Sequence, residues 1–105
     1  MADFKRISTA EAKAMIDDGS ASLADIRDQQ SFQQSHIAEA FHLHNENLQQ
    51  FIQATDSDKA LIVYCYHGNS SQNAAQFLSE NGFAEVYSMD GGFEQWRVEY
   101  PTVGG

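Results

Sequence analysis

The chain has 105 residues, 42% of them hydrophobic, and a formal net charge of −9. That length suits one domain with a real core and excludes a disordered chain. Fifteen acidic residues against six scattered basic ones exclude nucleic acid and anionic membrane as partners, since both need clustered Lys and Arg. The opening stretch, Met1 to Ser8, lacks the basic-then-apolar order of a signal peptide, and no apolar run approaches the roughly 20 residues of a membrane span. A single cysteine rules out an internal disulfide and a Cys-x-x-Cys pair, and fits a reducing compartment. A cytoplasmic protein is expected.

Short apolar runs alternate with helical patterns from end to end, the signature of an α/β domain with a mainly parallel sheet. Phe4 to Ile7 predicts a first strand. Ser8 and Glu11 have capping-box spacing and open a helix through Ala14, Met15 and Ile16 that stops near Gly19. Ala21 to Ile26 predicts a second strand, Gln30 to Ser35 a short helix, Ala40 to Leu43 a third strand, and Asn47 to Ala54 another helix. The run Ala60 to Tyr64 has the length and β-branched content of a buried strand. Gln72 to Glu80 has helical spacing with Ala74, Phe77 and Leu78 placed to face the sheet. Glu85 to Met89 and Phe93 to Tyr100 complete the pattern as a strand and a helix halted by Pro101.

Cys65 stands where the fourth strand ends and the polar loop Tyr66, His67, Gly68, Asn69, Ser70, Ser71 begins. In open α/β sheets a site lies beyond the carboxyl ends of the strands. Loop amides and the positive end of the following helix stabilise an anion on sulfur there without a charged side chain. The thiol is therefore expected to be acidic and nucleophilic, in preference to a small residue packed at a strand end.

Three stretches, taken in order, resemble the rhodanese family over essentially the whole chain. Asp25, Arg27, Phe32, His36, Ile37, Ala40 and Leu43 follow the family's Asp-x-Arg, Phe, His-Ile and Ala-x-x-Ile pattern. The second stretch is the loop after Cys65, which looks most like that of the single-domain bacterial thiosulfate sulfurtransferases of the glycerol-3-phosphate regulon type. Gly91, Gly92, Trp96 and Pro101 are similar to the family's Gly-Gly-x-x-x-Trp ending. Ser31 departs from the usual acidic residue before Phe32, and Ser35 and Glu39 replace glycines; these changes read as belonging to surface turns.

The resemblance implies one rhodanese domain over residues 1–105, with a mainly parallel five-stranded sheet flanked by helices. It also implies ping-pong sulfur transfer without a cofactor, in which the Cys65 thiolate takes the outer sulfur of thiosulfate and sulfite leaves. The persulfide would then pass its sulfur to cyanide or to a dithiol such as a thioredoxin-like protein. That chemistry needs one nucleophile and an anion cradle. The amides of Tyr66, His67, Gly68, Asn69 and Ser70 are the expected cradle, with the Ser70 and Ser71 hydroxyls as further donors.

Two rival readings share this architecture. A dual-specificity-type phosphatase or arsenate reductase has Cys, five residues, then Arg, but Ser71 occupies that last position here, so the bidentate clamp for a tetrahedral oxyanion is missing. A non-catalytic binding module would have little use for a cysteine inside a polar loop. His36, His42, His44, His67 and Cys65 match no closed zinc spacing, and no metal is expected. His36 is expected to make a structural hydrogen bond, and Arg27 to pair with Asp25 or Asp28. Phe93 and Trp96 read as core anchors, and Gly91 and Gly92 as the turn that lets the last helix begin. For His67 two readings stand level, a solvated loop residue and a source of positive charge when protonated.

Overall fold

A computed structural model describes residues 3–104. The elements run β1 (Lys5–Ile7), α1 (Thr9–Asp17), β2 (Ala21–Asp25), α2 (Gln29–Gln34), β3 (Phe41–His42), α3 (Leu48–Ala54), β4 (Ala60–Tyr64), α4 (Ser70–Glu80), β5 (Val86–Met89) and α5 (Gly92–Glu99). The strands form one sheet in the order β1-β5-β4-β2-β3, and every strand pair is parallel.

β4 takes the central place because it alone is apolar towards both faces, with all five residues buried. Leu61 and Val63 join Phe51, Ala75 and Leu78 in the core beneath α3 and α4. Ile62 and Tyr64 join Ala12, Phe93 and Trp96 in the core on the α1 and α5 side. The period-two alternation of a strand thus feeds two cores, as a parallel sheet covered on both faces requires. α1 begins at the expected capping box: Glu11 N donates to Ser8 Oγ, and Ser8 N donates to Glu11 Oε1.

The expected elements are all present, with three local differences. Phe4 lies outside β1 and packs on the α3 and α4 side instead. β3 begins at Phe41 because Ala40 closes a turn, its amide donating to Ile37 O at 3.0 Å. In that turn Glu39 has φ 71, a left-handed conformation that costs a non-glycine residue about 1 kcal/mol. α4 starts at Ser70, and its buried stripe is Ser71, Ala75, Leu78 and Ser79, which leaves Phe77 41% exposed in place of the sheet-facing position expected for it. Phe77 instead lines a surface groove of about 660 Å³ with Ile26, Leu43 and Leu48.

At the carboxyl end of β2, Arg27 pairs with Asp25 and not with Asp28. Arg27 Nη2 donates to Asp25 Oδ2 at 2.8 Å, with the two side chains 3% and 0% exposed. The same nitrogen donates to Ser35 O at 2.6 Å, and the guanidinium lies 3.9 Å from the centroid of the Phe93 ring. One cation thus ties the end of β2 to the end of α2 and to α5. Replacing Arg27 with Met should cost about 3–5 kcal/mol in urea unfolding, because a buried carboxylate loses its counter-charge. A loss below about 1 kcal/mol, the range of exposed pairs, would contradict this anchoring role.

Candidate active site

The ends of β2, β4 and β5 converge around Cys65, which is 5% exposed. The chain leaves β4 and turns so tightly that the amides of Gly68 and Ser71 both donate to Cys65 Sγ, each at 3.3 Å. Ser71 lies in the first turn of α4, whose N-cap residue Asn69 makes no side-chain capping bond. The sulfur itself takes the place of a capping oxygen. Burial acts to raise the Cys65 pKa. Hydrogen bonds from the Ser71 side chain and from the Ser71, Gly68 and His67 amides outweigh it, and the thiol is held below its ordinary value.

Two glycines make this turn possible. Gly68 has φ 93, and a Cβ there would lie 3.0 Å from Gly91 N and 3.1 Å from Met89 O, both backbone atoms. Gly92 has φ 59, and its Cβ would meet the Tyr66 carbonyl at 2.5 Å. That closeness lets the first amides of α5 reach across: Phe93 N donates to Cys65 O at 2.8 Å, and Glu94 N to Tyr66 O at 3.0 Å. On the other side, Gln72 Nε2 donates to Gly68 O at 2.9 Å. The loop is therefore held by backbone amides of α5 on one side and by the Gln72 side-chain amide on the other, and the close approaches at Gly68 and Gly92 leave no room for a Cβ.

The residues expected to form the site divide into two sets. Cys65, Gly68 and Ser71 are buried together, whereas Tyr66, His67, Asn69 and Ser70 are exposed along the rim. The Ser71 hydroxyl, 0% exposed, lies 3.4 Å from Sγ and faces the buried sulfur, not an incoming ligand. The amides of Asn69 and Ser70 meet no acceptor among the described residues. Tyr66 Oη bonds the Asp28 carboxylate and lies 2.8 Å from Ser31 Oγ. The hydrogen bond from Tyr66, with those from Ser31, depresses the Asp28 pKa to about 2. Ser31 is thus part of the loop's support and not merely a surface-turn residue. Behind Ser71, Ser88 Oγ lies 2.8 Å from Ser71 Oγ. The signal for it was a hydroxyl residue inside an otherwise apolar strand.

The Phe32 ring stacks on His36 and His42, with centroids 3.9 Å and 4.8 Å apart, and the His44 ring lies tilted against His42 at 5.4 Å. His36 Nδ1 bonds Phe32 O at 2.7 Å, a structural role of the expected kind, and His42 Nε2 bonds Arg27 O at 2.6 Å. Among the described residues no His, Cys, Asp and Glu group is arranged to hold a metal ion, and no helix is long and apolar enough to cross a membrane.

A cysteine cradled by backbone amides between a central parallel strand and the following helix defines a cysteine-loop domain of the α/β class. The chain belongs to the rhodanese-like domain family, whose model matches residues 8–99. It is 52% identical over 101 residues to the thiosulfate sulfurtransferase GlpE of Pseudomonas savastanoi pv. phaseolicola, covering 96% of this chain and 94% of that protein. It is 55% identical to the thiosulfate sulfurtransferase GlpE of Stutzerimonas stutzeri, covering 97% and 93%. Among solved structures, a rhodanese-related protein from Thermoplasma volcanium superposes with a TM-score of 0.80 at 28% identity, covering 95% of this chain and 98% of that one.

The sulfur geometry leads to a direct expectation. The rate of Cys65 alkylation by iodoacetamide, followed against pH, should have its midpoint below the free-thiol value of about 8.5. A midpoint at or above that value would describe an inert core cysteine.

Proposed function

We propose that this protein is a thiosulfate sulfurtransferase acting through a persulfide on Cys65, with residues 1–105 working as one rhodanese domain. The observation that carries this reading is the contact of two backbone amides with Cys65 Sγ in a loop that contains no Lys or Arg. Such a site favours a thiolate nucleophile while leaving no guanidinium to clamp a phosphoryl group. The relatives named as thiosulfate sulfurtransferases support the same substrate.

In the first half-reaction the Cys65 thiolate attacks the outer sulfur of thiosulfate. A sulfur–sulfur bond forms to Sγ, the bond to the sulfonate sulfur breaks, and sulfite departs with that electron pair. The enzyme carries one negative charge before and after, now on the outer sulfur of the persulfide. This charge lies one sulfur atom farther from Gly68 and Ser71, where the unengaged amides of Asn69 and Ser70 and the Ser70 hydroxyl serve as donors along the rim formed with Tyr66 and His67. In the second half-reaction a thiophile attacks the outer sulfur and the Cys65 thiolate leaves. Cyanide gives thiocyanate, and a dithiol, as on a thioredoxin-like protein, is the acceptor inferred for a reducing cytoplasm.

Cys65→Ser should abolish cyanide-dependent thiocyanate release while preserving the fold, because an un-ionised hydroxyl does not attack sulfane sulfur. Intact mass after thiosulfate should show a cyanide-removable gain of one sulfur in the parent and none in Cys65→Ser. Residual transfer within roughly tenfold of the parent would overturn the assignment, as would aryl phosphate hydrolysis that rivals thiosulfate turnover.

Charge sets a second expectation. Thiosulfate is a dianion approaching a chain of net charge −9, past Asp28, an anion with pKa about 2. The attraction comes from short-range amide dipoles, the repulsion from the wider field. Raising salt from about 0.01 M to about 0.1 M shortens the Debye length from about 30 Å to about 10 Å and screens chiefly the repulsion. kcat/KM for thiosulfate should therefore rise over this range; a steep fall would reveal a cationic guide for the substrate.

A further inference from the structure

Ser88 is a misfit in its strand. It lies in β5 between Tyr87 and Met89, paired in register with Val63 of the central strand, and is 0% exposed. A buried hydroxyl without a partner costs about 1–3 kcal/mol relative to an apolar residue, so the partner it has is informative. Ser88 Oγ lies 2.8 Å from Ser71 Oγ, which lies 3.4 Å from Cys65 Sγ. The three groups, 0%, 0% and 5% exposed, form an unbranched buried chain from the β5 core to the sulfur.

We propose that Ser88 is a positioning residue for sulfur transfer: its hydroxyl donates to Ser71 Oγ and thereby turns the Ser71 hydroxyl onto the Cys65 thiolate. The inference rests on Cys65 being the sulfur carrier. Ser71 has a single hydroxyl proton. With the thiol protonated, S–H donates to Ser71 Oγ and Ser71 donates onward to Ser88. With the thiolate, every bond in the chain reverses, Ser88 donating to Ser71 and Ser71 to sulfur.

The reversed chain ends on an anion, and hydrogen bonds to a charged acceptor are roughly twice as strong as neutral ones and reinforce one another along a chain. Removing Ser88 therefore weakens the thiolate state more than the thiol state. Both half-reactions use the thiolate, first as the attacking group and then as the leaving group. Ser88 serves each without touching substrate.

The charged and titratable groups on the surrounding elements lie outside this chain. Asp25 at the end of β2 is paired with Arg27 just beyond it. Asp90 after β5 is paired with Arg6, and Glu94 of α5 with Arg97. Asp28 is bound by Tyr66, Tyr64 Oη accepts from Ile37 N, His67 is on the exposed rim, and α4 has no charged residue before Glu80. Ser88→Ala changes none of them.

The test is the pH profile of Cys65 alkylation in the full chain, which reads the thiolate whether or not sulfur is transferred and so is independent of the Cys65→Ser assay. Ser88→Ala should move the midpoint upward and slow alkylation about three- to tenfold at pH values below it, about 0.5–1 pK unit. kcat/KM for thiosulfate near neutral pH should fall by a similar factor. Thr and Val have nearly the same shape, so Ser88→Thr should keep the parent midpoint while Ser88→Val shifts it, whatever strain the added methyl brings. In a Ser71→Ala background, Ser88→Ala should add little, because its effect passes through Ser71. An unchanged midpoint in both Ser88→Ala and Ser88→Val, or a Ser88→Ala shift of equal size with and without Ser71, would overturn the proposal.

Discussion

The structure is organised around a sulfur atom that accepts the backbone amides of Gly68 and Ser71. That interaction fixes three things together: the shape of the loop, the first residue of α4, and the charge state towards which Cys65 is biased. A side-chain capping oxygen at the start of α4 would satisfy the same first-turn amide, but it would take the Ser71 amide away from the sulfur. Using the nucleophile as the cap means that the loop is ordered by its own reactive atom. The groups around it are backbone, glycine and buried hydroxyls, so its electrostatics are set by neutral dipoles at short range.

The rest of the fold serves that turn. The central strand delivers Cys65 to the carboxyl edge of the sheet because all five of its residues are buried. β5 and α5 press against the loop from one side through the close approach of Gly92 to Tyr66 and the amides of Phe93 and Glu94. β2 and α2 support it from the other through Arg27, Asp28, Ser31 and Tyr66. The Arg27 guanidinium against Phe93 joins the two sides. Its cation is already paired with Asp25 and lies beneath the surface, so the site gains an anchor without gaining a net positive charge.

Much of this was legible in the residue order. An apolar run ending at a cysteine, a capping box at Ser8 and Glu11, a glycine pair before Trp96, and Arg27 within two residues of a carboxylate all act through local rules, and each appears where those rules put it. The phase of α4 was not legible. Its start depends on a sulfur five residues earlier in the chain, so apolar spacing from Gln72 assigned Phe77 inward where Ser71 and Ala75 take the buried stripe. Ser88 escaped for a related reason: alternation along a strand assigns polar residues to solvent, whereas here the partner comes from a helix 17 residues away in sequence. Ser31 and Glu39 looked like turn residues, yet one supports Tyr66 and the other holds a left-handed backbone. Contacts between particular atoms, at Ser31 and Ser88 from segments distant in sequence, decide these positions, and residue pattern alone does not encode them.

The central claim is that neutral donors alone, the amides and the Ser71 hydroxyl, make the Cys65 thiolate. Ultraviolet absorbance of the thiolate, titrated against pH at low and at high salt, tests it most directly. The midpoint should lie below about 8.5 and move by no more than a few tenths of a unit between about 0.01 M and about 1 M salt, since fixed dipoles in contact with the sulfur are scarcely screened. A midpoint that climbs by a full unit with salt would show that a charged group holds the thiolate, and would contradict this account.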